Sequence, residues 1–158
     1  MRKATLSGAA LAGILAPAGI ASAAITPMVP VFIQTLIVKR APQLAYVPTR
    51  IAAPSFKYAG YKASPRGVTE TFAQTPKRQI AFTAIPYSGN CPDGKQKSFQ
   101  LSGNKVYWAQ LHNTQMAWRC VTGVNGRQVR LAASSTLQPS QFADVGLGTI
   151  VASAHRIR

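Results

Sequence analysis

Residues 98–133 read SFQLSGNKVYWAQLHNTQMAWRCVTGVNGRQVRLAA, and this stretch decides the fold. Segments 98–101 and 105–111 flank Ser102, Gly103 and Asn104, a hairpin turn because Gly and Asn tolerate positive φ. His112, Asn113 and Thr114 form the next turn. Along 115–121, Met116, Trp118 and Cys120 share one face at the two-residue period of a strand, and Arg119 points the other way. A turn at 122–126 leads to 127–133, where Val129 and Leu131 oppose Arg130. Strands this short, joined by turns, predict an antiparallel sheet, since parallel neighbours would need crossover helices.

The same pattern extends upstream. Segment 55–64 carries Phe56, Tyr58 and Tyr61 and is stopped by Pro65; segment 67–73 carries Val68 and Phe72. After a turn at 75–78, segment 79–87 sets Ile80, Phe82 and Ala84 against Ala81, Thr83 and Ile85. A loop with Ser88, Gly89, Asn90, Pro92, Asp93 and Gly94 interrupts the sheet. Downstream the period changes. Pro139 suits an early helical position, and Leu147, Ile150, Val151 and Ala154 repeat at i, i+3, i+4 and i+7. Gly146 and Gly148 weaken the middle of this helix. The predicted class is α+β: an antiparallel β-meander of six or seven strands with one C-terminal helix packed on the sheet.

The N-terminus points to export. Arg2 and Lys3 precede an uncharged run from Ala4 to Val38, and Ala21, Ser22 and Ala23 supply the small residues that a signal peptidase reads. Residues 1–23 are expected to be a signal peptide cleaved before Ala24. The competing reading is an uncleaved anchor, because the run is long enough to span a bilayer, although Pro17, Pro27 and Pro30 would kink it. Both readings place the domain outside the cytoplasm. Residues 24–54 then form an apolar N-terminal segment and a linker, with Pro42, Pro48 and Pro54 limiting regular structure. The stretch 25–38 fits an interfacial helix, a strand covering the core, or part of an anchor. The domain proper is expected at 55–158. Cys91 and Cys120 are the only cysteines, and in an oxidising compartment they are expected to pair.

A resemblance accompanies this order of elements. Tyr46-Val47-Pro48-Thr49 opens the region, Gly103-Asn104-Lys105-Val106-Tyr107-Trp108 follows, Trp118 lies in a later strand, and Val151-Ala152-Ser153 ends the helix. From Tyr46 to His155 the chain resembles the small, mostly uncharacterised β-meander-plus-helix domains of exported or membrane-anchored bacterial envelope proteins, some of which sit beside anti-sigma-factor modules. The resemblance implies a lipoprotein-carrier-like fold and carries over no functional residue. The cysteine pair departs from that pattern.

Composition narrows the chemistry. Of 158 residues, 47% are hydrophobic and 13% charged, which is too apolar for a disordered chain. Lys and Arg total 18 against 3 acidic residues, a net charge of +15. With only Glu70, Asp93 and Asp144 as carboxylates, multi-carboxylate Ca²⁺ or Mg²⁺ sites are nearly excluded, and the His and Cys spacing suits no structural zinc site. There is no Gly-x-Ser-x-Gly elbow, phosphate-cradling loop or dinucleotide fingerprint. No cofactor or metal is expected, and no catalytic residue is assigned.

The charge is the strongest functional clue, since a cationic surface attracts phosphates, acidic wall polymers and anionic lipids. Lys95, Lys97, Lys105, Arg119, Arg127 and Arg130 are the polyanion-binding candidates, because they fall in the densest β region. Tyr107, Trp108 and Trp118 would stack bases or sugars beside them if exposed, but aromatics in half-buried strands usually serve the core. The sequence therefore reads as a non-enzymatic envelope domain whose partner is an anionic lipid, a wall polymer or an envelope protein, with nucleic acid less favoured. The enzymatic alternative is a small secreted nuclease acting on RNA, with Glu70, His112 or His155 exchanging protons. A third reading is a carrier holding an apolar or lipid ligand between sheet and helix.

Overall fold

The computed structural model describes residues 28–51, 55–89, 91, 96–135 and 146–158. In chain order the elements are helix α1 (Val31–Arg40), strands β1 (Tyr46–Val47), β2 (Lys57–Ser64), β3 (Gly67–Thr75), β4 (Arg78–Tyr87), β5 (Lys97–Leu101), β6 (Asn104–Leu111) and β7 (Thr114–Thr122). A single 3₁₀ turn (Val124–Gly126), β8 (Gln128–Ser135), helix α2 (Leu147–Ser153) and β9 (His155–Arg156) complete them. The α+β class holds, with an antiparallel sheet and a C-terminal helix packed on it.

Seven strands form one antiparallel sheet in the order β2-β3-β4-β8-β7-β6-β5. The strands expected from alternation and turn residues are present, and hairpins join neighbours within β2-β3-β4 and within β5-β6-β7-β8. At the β5–β6 turn Ser102 and Gly103 both take positive φ, the left-handed pair that follows the twist of a tight hairpin. One join departs from a simple meander. Strand β4 pairs with β8 rather than β5, so the chain leaving Tyr87 crosses to the opposite half of the sheet. That crossing spans about 19 Å at ordinary strand spacing.

The two faces of the sheet differ. The core face carries Val68, Glu70 and Phe72 from β3, Ile80, Phe82 and Ala84 from β4, and Val129, Leu131 and Ala133 from β8, all buried. Both helices cover it. Ile150 and Val151 of α2 are fully buried there, as the helical spacing of Leu147, Ile150 and Val151 requires. Pro139 and the start of the expected helix lie outside the described residues.

The N-terminal region corrects the expected domain boundary. Val29, Ile33, Ile37, Ala41, Leu44, Tyr46 and Val47 belong to the same hydrophobic core as the sheet. Ile33 and Ile37 lie one turn apart, so a single face of α1 is buried, and Lys39 and Arg40 end the helix where its dipole favours cations. What reads as a proline-limited linker is held by β1–β9 pairing, with Tyr46 opposite Arg156, and by the Ile157 amide donating to the Ala45 carbonyl at 2.9 Å. Proline spacing misleads here because backbone pairing supplied from the chain's end outweighs local propensity. Residues 29–38 thus contribute to the core of the described fold. Among the described residues no helix is long and apolar enough to cross a membrane. Residues 1–23 lie outside those described.

Candidate functional site

The outer face of the sheet, turned away from both helices, is the candidate site. The strand registers bring Lys57 and Lys62 of β2, Thr69 and Thr71 of β3, Gln79 and Thr83 of β4, Arg130 and Ser134 of β8, and Lys105 of β6 to this side. Lys57, Lys62 and Lys105 are exposed and Arg130 is half-buried. A polar depression of about 220 Å³ lies among Thr71, Gln79, Ala81, Thr114, Ser134 and Ser135. Glu70 is the one carboxylate side chain among the described residues, and it is fully buried on the other face. Every charged side chain that the described surface offers is therefore a cation.

Two of the predicted cations are braced on this face by aromatic rings. The Lys105 ammonium sits 5.5 Å from the centre of the Tyr107 ring, and the Arg130 guanidinium lies 5.5 Å from that of Tyr87. Both separations fall in the range where the negative ring face attracts a cation. Tyr107 and Trp118 stack on each other at 4.7 Å with an interplanar angle of 28°. They are only 7% and 5% exposed, so they do not form an open stacking platform. Together with Ala132 they build a small second core, against which Cys91, Cys120 and Met116 pack. The Cys91–Cys120 disulfide is present, with Cα atoms 6.0 Å apart, and joins the crossing segment after β4 to the outer face of β7. Trp118 packs beside it, as their shared strand face predicts.

The other candidates are dispersed. Arg119 projects to the core face and is committed to α2: its Nε donates to the Val151 carbonyl at 3.0 Å and its Nη2 to the Ala154 carbonyl at 2.6 Å. Its Nη1 also donates to Asn104 Oδ1. Burial lowers its pKa from the ordinary value. Lys97 and Trp108 line a recess at the β5 edge. Arg127 lies in the β7–β8 connection beside Arg40 and Gln43. Lys95 lies outside the described residues, as do Asp93 and Asp144.

The groups named for nuclease chemistry occupy three separate elements. His112 sits at the exposed β6–β7 turn with positive φ, His155 is on β9, and Glu70 is inside the core. Neither Glu70 oxygen has a hydrogen-bond partner among the described residues, and desolvation pushes its pKa up to about 8. Tyr58 shares that interior; burial first, then the charges of Glu70 and Tyr61, raise its phenol to about 12. Among the described residues no group of three or more His, Cys, Asp or Glu could hold a metal ion.

Sequence reasoning missed Lys57 and Lys62, which lie far from the densest β region along the chain. Strict alternation would set Lys57 with Tyr61 and Lys62 with Tyr58, and only the bulge between Tyr58 and Gly60 brings both lysines to the outer side, so no simple period in the sequence places them together. No protein family matches the chain, and neither does any curated protein or solved structure.

Proposed function

We propose that this chain is an exported, non-enzymatic domain of the cell envelope whose outer sheet face binds an anionic surface or polymer. The observation that carries this reading is the outer face itself, with Lys57, Lys62, Lys105 and Arg130 set among hydroxyl and amide side chains and no exposed carboxylate among the described residues. The leader pattern in residues 1–23 and the disulfide support the compartment. Bracing by Tyr107 and Tyr87 holds two of the cations, so part of their side-chain entropy is spent before binding. A cation close to an anionic membrane contributes about 1 kcal/mol, and several acting together give a usable, salt-sensitive affinity.

Co-sedimentation of the full chain with phosphatidylglycerol vesicles, and retention on a teichoic acid column, test the reading. Binding to at least one should fall steeply with salt, and it should drop about tenfold or more in the double variant K105E/R130E. Arg127→Glu, away from the face, should change it little. Absence of salt-sensitive binding to both probes, or equal loss in R127E, would sink the proposal.

A further inference from the structure

The two edges of the sheet are not treated alike. Strand β2 is bulged between Tyr58 and Gly60, presents Lys57 and Lys62, and packs against α1. Those devices discourage further strand pairing. Strand β5 has none of the bulging: its register with β6 runs without a break from Lys97 opposite Trp108 to Leu101 opposite Asn104. Among the described residues nothing pairs with its other edge, and its residues Lys97 to Gln100 are all exposed. Beside that edge lies an apolar recess of about 540 Å³ between β5, β6 and α2, lined chiefly by Phe99, Leu101, Trp108 and Leu147, with Lys97 at its rim. Its wall is built to close tolerance: a Cβ on Gly148 would lie 2.7 Å from Phe99 Cζ. Phe99 nonetheless stays 41% exposed, one of three large apolar side chains left so among the described residues.

We propose that β5 receives an extended acidic peptide segment of a partner protein as an additional antiparallel strand. Backbone bonds to that edge, unpaired among the described residues, would supply affinity, and alternate apolar side chains of the peptide would enter the recess. Charge selects the occupant. A second copy of this chain would bring another +15 to the same edge, whereas a strand alternating Glu with apolar residues meets Lys97 and a cationic surround. The recess lies on the opposite side of the sheet from Lys105 and Arg130, so this site is separate from the outer face.

The probe is a synthetic peptide of roughly ten residues alternating Glu with Val and Phe, titrated into the full chain and followed by fluorescence anisotropy. Two further peptides carry N-methyl groups on one or the other set of alternate amides. One methylated set should weaken binding about tenfold or more and the other should not, because only one set of amides faces β5. Phe99→Glu and Lys97→Glu should each weaken the parent peptide clearly more than K105E/R130E does. Equal binding of all three peptides, or a loss in K105E/R130E as large as in F99E, would reduce the effect to bulk charge and overturn the proposal. So would a dimer dissociated by F99E, which assigns the edge to a second copy, or binding of dodecanoate in the recess with no peptide binding.

Discussion

Strand β3 places Glu70 on the face that its neighbours Val68 and Phe72 use for hydrocarbon. Its cross-strand partners are Tyr61 and Phe82, neither of which neutralises a carboxylate. The group stays protonated in the folded domain up to about pH 8 and ionises at ordinary acidity once unfolded. Between those two values the native state binds the extra proton, so stability falls as pH rises, by at most about 1.4 kcal/mol per pH unit. Denaturant unfolding of the full chain from pH 4 to 9 should show this decline. Glu70→Gln should flatten it, matching the natural protein at low pH and exceeding it by a few kcal/mol near pH 9. A wild-type profile without that slope would contradict the assignment. The alternation of Val68, Glu70 and Phe72 was visible in the sequence, but a lone acid among apolar residues reads equally well as a proton donor. Only the surrounding strands show that, among the described residues, neither of its oxygens meets a hydrogen-bond partner.

Helix α2 has seven residues, too few to persist without tertiary support. Its C-terminal carbonyls are gathered by side chains from elsewhere: Arg119 takes those of Val151 and Ala154, and Asn104 Nδ2 donates to that of Ala152 at 3.2 Å. Ser153 Oγ accepts from the amides of Thr49 and Arg50, at 3.2 and 3.0 Å, tying the same end to the chain after β1. Arg119→Met keeps an unbranched apolar stem and removes every one of its donors. It should cost about 2–4 kcal/mol in denaturant unfolding and leave vesicle binding by folded protein unchanged. Loss of vesicle binding at unchanged stability would instead place Arg119 in the anionic site. The helix itself was legible from its 3.6-residue spacing. The clamp was not, because Arg119 meets backbone carbonyls, and a carbonyl leaves no mark in the identity of the residue that bears it.

At the scale of the molecule, the disulfide fixes the one connection that breaks hairpin order. Closing a loop with a separation of 29 residues removes about 3–4 kcal/mol of unfolded-state entropy. Replacing both Cys91 and Cys120 with Ser should lower unfolding stability by about that amount. It should also shift Trp118 emission to the red, since Cys91 helps to cover that ring; an unshifted spectrum would mean that other groups shield it. Each hairpin could be read from its own turn residues, whereas the β4–β8 pairing could not, because a connection's composition does not say which strand edge it reaches. That pairing also sets a timetable. A chain emerging N-terminus first completes β2, β3 and β4 while the partner of β4 is still roughly forty residues from release, and that pairing is the non-local one in the sheet. Ile80, Phe82 and the open side of β4 must wait without aggregating. If the chain is exported as proposed, it therefore calls for a holding chaperone at the exit of the translocation channel, and its yield outside the cell should follow the supply of that chaperone rather than the rate of synthesis.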